Sequence, residues 1–330
     1  MPDTRPLIPV LVGPTGVGKT AVVAALGALT PIAVISADAR QVYRHLDIGT
    51  AKPDPALRAR VPHLGVDLVE PGERYSAGQF ARDAAGWLVA LQAEGRRQPV
   101  VVGGTGFYVR ALAEGLFREP PLDPGRRERL RAWAGAFEAG ELARWAARLD
   151  RRYAGGGRQR AARVVEVALL TGRALSWWQR EARETGAMRP WYIHLTLPRE
   201  VLHRRIAERV DRMLDAGGAG GGGGGLVAEV RAVLARGVRR DAPGLDGVGY
   251  REVIAMLDGE LPGHRLRETI IAATRRYAKR QETWFRNQLR SQPSAVSRQV
   301  EEVWTLDGTP SPAALAAAIH ERWRLRRGKR

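Results

Sequence analysis

The 330-residue chain contains no cysteine. That removes disulfides, thiolate metal sites and cysteine nucleophiles from its chemistry. It also lacks any uninterrupted apolar run near the ~18 residues of a membrane-spanning helix. Its start, Met-Pro-Asp-Thr-Arg, passes straight into an apolar strand-like run. A signal peptide needs a basic start, an apolar stretch and a small-residue cleavage site. A cytoplasmic protein with no membrane partner is expected. Acids are in short supply, 35 against 53 Lys and Arg, for a net charge of +18. Such an excess favours a polyanionic partner. Nucleic acid fits better than a membrane surface, because no segment pairs a strongly apolar helical face with a basic one. Lysine is nearly absent: only Lys19, Lys52, Lys279 and Lys329 occur. In a chain that otherwise uses Arg, a retained Lys hints at a site needing a compact point charge rather than a planar fork. The first three fall inside the motifs below.

What is present begins with three short apolar runs, Leu7–Val12, Ile32–Ile35 and Pro99–Val102. They read as buried parallel strands, separated by helical patterns over Lys19–Leu29 and Ala77–Glu94. A fourth run is Trp191–Leu197. Strand–helix alternation predicts an α/β domain with a parallel sheet flanked by helices. The Arg-, Ala- and Trp-rich stretch between the third and fourth runs reads instead as helices. Asp123-Pro124 is an N-cap followed by Pro at the first helical position, and further helices are expected over Glu141–Asp150, Gln159–Thr171 and Leu175–Arg183. The expected organisation is a core of residues 1–118 and 190–330, with an all-helical insertion domain at 119–189. Later helices are expected at Arg199–Ala216, Leu226–Arg236 and Arg267–Arg290. Gly217–Gly225 is almost pure glycine, whose backbone entropy disfavours an ordered element, and reads as a flexible insertion. Arg322–Arg330 reads as a frayed basic tail.

Gly13-Pro14-Thr15-Gly16-Val17-Gly18-Lys19-Thr20 follows the first strand and opens the first helix. This is a phosphate-binding loop (P-loop): glycines let backbone N–H groups close on phosphate oxygens, Lys19 adds charge, Thr20 can hold Mg²⁺, and the helix N-terminus adds its dipole. A kinase, a nucleotide hydrolase and a pyrophosphate-using transferase all share it. Asp38 lies just past the second strand and Thr105, in Gly-Gly-Thr-Gly, just past the third. Ligands of open parallel sheets bind beyond the carboxyl ends of the strands, so all three turns should face one rim. Asp38 also suits a helix N-cap. On the segment 199–216, Arg205, Arg209 and Arg212 form a stripe that is either solvated or reaches over the phosphate site. In the segment 274–286, Tyr277, Gln281 and Trp284 share a helical face. The cations beside that face suit phosphate-backbone contact.

Together these segments resemble the tRNA dimethylallyltransferase family, also called tRNA isopentenyltransferases. The likeness runs in order through the P-loop, SADARQVYRHLDIGTAKP (36–53), GGTGFYVRAL (103–112), RVVEVALLTGRALS (163–176), RVDRML (209–214), Val248–Glu252 and TRRYAKRQETWF (274–285). The resemblance implies a P-loop-type core whose helical insertion grips the anticodon stem-loop of tRNA. It implies a monomeric, Mg²⁺-using enzyme that moves the dimethylallyl group of dimethylallyl pyrophosphate to N6 of the adenosine 3′ to the anticodon. Position by position, Asp38 is the catalytic base, Thr105 orients the reaction centre and Arg209 contacts the pyrophosphate. The P-loop, commonly labelled ATP-binding, would hold that pyrophosphate. Residues matching tRNA contacts are Asp38, Ala39, Arg40, Gln41, Thr105, Gln159, Arg160, Arg163, Gly249, Tyr250, Arg251, Lys279, Arg280, Gln281, Trp284 and Arg286. The chain departs from the family at His63-Leu64, where two adjacent His are common, and in the glycines 155–157 and 217–225. A rival reading is a small-molecule kinase using ATP. It leaves the basic helix near the C-terminus unexplained.

Overall fold

The computed structural model describes residues 3–118, 120, 122–215, 225–290 and 302–327. The first part of the chain alternates β1 (Leu7–Val12), α1 (Lys19–Leu29), β2 (Ile32–Ser36), α2 (Pro55–Arg60), a two-residue β3 (His63–Leu64), α3 (Ala77–Glu94), β4 (Gln98–Gly103) and α4 (Gly106–Glu114). Four helices follow: α5 (Pro124–Gly135), α6 (Ala139–Leu149), α7 (Arg158–Thr171) and α8 (Leu175–Glu181). The chain returns through β5 (Arg189–Thr196), α9 (Arg199–Asp215), α10 (Leu226–Ala235), α11 (Tyr250–Leu257), α12 (Leu266–Arg290), β6 (Glu302–Asp307) and α13 (Pro312–Arg327).

The strands form one parallel sheet in the order β3-β2-β4-β1-β5-β6. Alternate residues of a strand face opposite sides, and a parallel sheet needs both covered. On one side Val10, Val12, Ile35 and Val101 pack under Phe80, Leu88, Leu112 and Phe285 of α3, α4 and α12. On the other, Leu11, Val34, Ile193 and Leu195 pack under Val22, Val23 and Leu26 of α1 and Leu315, Ile319 and Trp323 of α13. A third cluster joins Val42, Tyr43 and Leu46, beyond β2, to α10, α11 and the start of α12. Among the described residues no helix is long and apolar enough to cross a membrane.

The chain divides into two compact units, one of residues 1–113 with 187–330 and one of 114–186. The second starts five residues before the expected boundary at 119 and ends three before 189. The reason is local. Phe117 bridges Arg183, the Arg118 N–H donates to the Ala182 carbonyl, and the Glu184 N–H to that of Leu116, so the two connecting strands belong to this unit. Its core is Leu142, Ala146, Ala161, Val164 and Val165. Asp123 caps α5 through the Arg126 N–H, with Pro124 at its first turn. Buried Glu166 accepts from Arg127, Arg131 and Arg163. Burial acts to raise its pKa, but the three guanidinium groups outweigh it and hold the carboxyl below its ordinary value.

The tail assignment at Arg322 needs correcting. Residues through Arg327 are the last turns of α13, with Trp323 in the core and Arg322 stacked over Trp304 of β6. Residues 328–330, and the glycine run apart from Gly225, lie outside the described residues.

Candidate active site

Because every strand points the same way, the ends of β1, β2 and β4 share one rim. β4 lies between β1 and β2. The chain beyond the sheet is tied across this rim: the Ala37 N–H donates to the Val102 carbonyl, and the Thr105 N–H to that of Ala37. Gly103 is obligatory there, since a Cβ would run into the Ala37 backbone. The Thr105 hydroxyl accepts from the Ala39 N–H at 3.0 Å, which fixes the turn after β2 against the turn after β4.

The P-loop departs from β1 at Gly13, whose φ of +150° is open to glycine and whose Cβ would stand 2.6 Å from the Leu195 carbonyl oxygen. Gly16 and Gly18 are left-handed, and Gly18 is the N-cap of α1. Lys19 Nζ donates back to the Gly13 and Pro14 carbonyls at 2.8 and 3.0 Å, which leaves one ammonium proton for a ligand. Burial pulls its pKa down to about 8; Asp38 resists this and Arg209 adds to it. Thr20 is exposed.

Asp38 caps a turn rather than a helix. Its Oδ1 accepts from the Arg40 N–H at 2.8 Å and more loosely from that of Gln41, while Oδ2 has no protein hydrogen bond among the described residues. Its charge is felt by both Lys19 and Arg209. The arginine stripe on α9 divides. Arg205 donates to the Val17 carbonyl of the P-loop at 3.1 Å, Arg212 is exposed, and Arg209 is half-buried. Burial lowers the Arg209 pKa against the pull of Asp38. Arg209 makes no hydrogen bond or ion pair among the described residues, so its five donors are uncommitted. The rim therefore brings two cations within electrostatic reach of one partly free carboxylate, beside the N-terminus of α1. Tyr277 stands beside it, its pKa pushed up to about 12 chiefly by burial, with Asp38 adding to the shift.

The residues expected to touch RNA separate into two sets. Lys279, Arg280, Arg251 and Arg286 are exposed in the first unit, and Gln159 and Arg160 at the start of α7 in the second. Arg40 is held by the Pro243 carbonyl and Asp246. Gly249, left-handed at φ +96°, opens α11. Others are committed inside the protein. Tyr250 is 1% exposed and donates to Glu229. Gln41 accepts from Ser36 and donates to the carbonyls of Thr50 and Ala51. Arg163 is bound to Glu166. Gln281 is buried between two loops, and Trp284 is half-buried against Gly106. The Tyr250 and Gln281 side chains are thus turned into the interior of this chain.

Glu229 escaped the sequence reading. Its carboxylate gathers the N–H groups of Asp47, Ile48 and Gly49 and the Tyr250 hydroxyl. No local pattern marks a residue whose three backbone partners lie some 180 positions away. Lys52 was singled out as a point charge, and it is one: 2% exposed, it meets Asp47, Asp67 and the Tyr43 carbonyl, each at 2.6 Å. His194, across from Val12 in the sheet, has a buried Nε2 with no hydrogen-bond partner among the described residues.

The chain matches the family model for IPP transferase over residues 41–288 and that for isopentenyl transferase over 7–59. It is 43% identical to a tRNA dimethylallyltransferase of Chromohalobacter salexigens, covering 87% of this chain and 91% of that one. With the enzyme of Thiobacillus denitrificans it shares 41% identity over 94% of this chain and 96% of the relative. Among solved structures it is similar to a full-length tRNA isopentenylpyrophosphate transferase from Bacillus halodurans, with a TM-score of 0.67, 30% identity, and coverage of 97% and 96%. A eukaryotic dimethylallyltransferase acting on tRNA shares the fold, with a TM-score of 0.74 at 22% identity over 97% of this chain and 80% of that one. The chain belongs to the tRNA dimethylallyltransferase, or tRNA isopentenyltransferase, family.

Proposed function

We propose that the protein transfers the dimethylallyl group of dimethylallyl pyrophosphate to N6 of the adenosine 3′-adjacent to the anticodon of tRNA, releasing pyrophosphate. The observation that carries this reading is the shared rim, where the P-loop, Lys19 and Arg209 lie within electrostatic reach of Asp38, whose Oδ2 has no hydrogen bond among the described residues. An exocyclic adenine amine is a weak nucleophile, because its lone pair is delocalised into the ring. An allylic pyrophosphate compensates by ionising readily. As its C1–O bond breaks, the electron pair leaves with pyrophosphate, N6 forms the bond to C1, and the N6 proton passes to Asp38. The negative charge that develops on the leaving group falls on the P-loop N–H groups, Lys19 and Arg209. Thr105 orients the amine.

Mg²⁺ would suit this site, with Thr20 as its protein ligand. Among the described residues no group of three or more His, Cys, Asp or Glu forms a metal cage. Mg²⁺ bound largely through phosphate needs few protein oxygens, and the exposed Thr20 hydroxyl is one. When bound, it would neutralise part of the pyrophosphate charge. The tRNA anticodon stem-loop would lie along Lys279, Arg280, Arg286 and Arg251, with Gln159 and Arg160 of the helical unit also reaching its backbone. Ala39, Arg40, Gln41 and Gly249 would shape the loop around the target base, which is flipped from its stack. A monomer acting in the cytoplasm fits this role.

The test is transfer of radiolabelled dimethylallyl pyrophosphate to an unmodified tRNA transcript with Mg²⁺, beside an ATP-hydrolysis assay. Label in RNA without ATP turnover is expected. ATP turnover with no label would return the P-loop to a kinase.

A further inference from the structure

Gln281 sits where two loops meet. The Thr15 N–H of the P-loop donates to its Oε1 at 2.8 Å, and its Nε2 donates to the Gly104 carbonyl at 3.0 Å. The side chain is buried. Gly104 has no room for a side chain, since a Cβ there would overlap Gln281 Nε2. One turn further along α12, Trp284 presses on Gly106 in the same way. Residues 281 and 284 share a helical face, so this face of α12 reads the Gly104–Gly106 turn on either side of Thr105. The bridge needs an acceptor and a donor on one short planar group. Glutamine offers both, whereas an ionised Glu has no donor and Lys or Arg no acceptor.

We propose that Gln281 is a positioning residue that fixes the distance between the loop gripping the pyrophosphate and the turn presenting Thr105 to the acceptor base. It rests on the transferase reading above. In that reaction the allylic carbon and the amine must meet in line, and one is held by the P-loop while the other is held by the Thr105 turn. A misplacement near 1 Å between reacting groups costs about 10²-fold in rate. Gln281 touches neither reactant. It acts through Thr15 and Gly104, and it is neutral, so it sets geometry without altering the charge of the cradle.

The test compares wild type, Gln281→Ala, Gln281→Met, Gly104→Ala and the double variant Gly104→Ala/Gln281→Ala. Single-turnover transfer, equilibrium affinity for inorganic pyrophosphate, affinity for the tRNA transcript, and thermal melting are measured for each. Both Gln281 variants are expected to lose about 10²-fold in transfer while both affinities change less than threefold. Gly104→Ala should show a similar loss, and the double variant should be no slower than Gln281→Ala, because removing the amide makes room for the added methyl. Normal transfer by Gln281→Met would reduce the residue to space-filling and overturn the proposal. An RNA affinity that falls as far as transfer would overturn it too, and make Gln281 an RNA contact. Additive losses in the double variant would deny the coupling. Failure of the wild type to transfer label would instead sink the transferase reading itself.

Discussion

At the scale of single residues, the site works by placing unlike charges where burial makes each count. Among the described residues Arg209 has no hydrogen-bond or ion-pair partner, and it lies near Asp38. In the proposed reaction it would meet the charge that appears as pyrophosphate departs. Removing one such group commonly costs about 10²–10³ in turnover. Arg209→Ala should fall in that range in a steady-state transfer assay, and a loss under threefold would remove it from the mechanism. Asp38→Ala should abolish transfer while RNA affinity, read by filter binding, is largely kept. Lys19 supplies a pH signature. Its folded pKa of about 8 lies below the 10.5 of a free lysine because burial disfavours the ammonium. A bound anion favours the charged form and lifts that pKa. Pyrophosphate binding near pH 8.5 should therefore take up a proton, seen as a dependence of calorimetric enthalpy on buffer ionisation. Lys19→Met should remove the uptake. Proton-neutral binding by the wild type would contradict the assigned contact.

At the scale of elements, legibility followed the range of the interactions. β1, α1 and α3 stand at the bounds read from apolar period and flanking turns, since those signals are local. The P-loop was equally plain, because its glycines are required by its own backbone. β6 and α13 went unread. β6 is an edge strand, and its place beside β5 depends on a sheet built from distant segments. α13 carried a cue in Ser311-Pro312, where the Ser hydroxyl caps the Ala314 N–H, but its reason for existing is the groove of α1 that it covers with Leu315, Ile319 and Trp323. Which arginines of α9 turn inward could not be read from i, i+4, i+7 spacing either; it depends on where the P-loop lies. The loop at 47–49 shows the same limit. Glu229 of α10 satisfies three of its N–H groups and the buried Tyr250 hydroxyl. Glu229→Ala leaves these donors unpaired and should cost about 3 kcal/mol in chemical denaturation. A change below ~0.5 kcal/mol would mean that water replaces the carboxylate freely.

At the scale of the molecule, the charge of +18 is a statement about association rather than fold. Among the described residues the exposed Lys279, Arg280 and Arg286 of α12 and Arg160 of α7 make no ion pair, and Arg251 of α11 makes only one, of 3.6 Å to Asp246. If six to eight of them meet phosphates, the logarithm of RNA affinity should fall with the logarithm of salt with a slope of about −4 to −6. A slope shallower than −2 would leave the excess charge without a purpose. The function was legible through the resemblance of seven ordered segments to one family; the three turns that end parallel strands place a phosphate site on one rim and by themselves leave a kinase open. What the sequence hid was the interior tie between them, carried by Gln281, and the burial that makes Lys19 and Arg209 sensitive to an anion.

In the proposed reaction this rim joins an allylic carbon to an adenine amine. The most direct measurement is the stoichiometry of pyrophosphate released to label incorporated, with adenosine or inosine at the target position of the same transcript. One pyrophosphate per label on adenosine, and neither product with inosine, is the predicted result. Release of pyrophosphate without incorporation, or equal labelling of inosine, would contradict it.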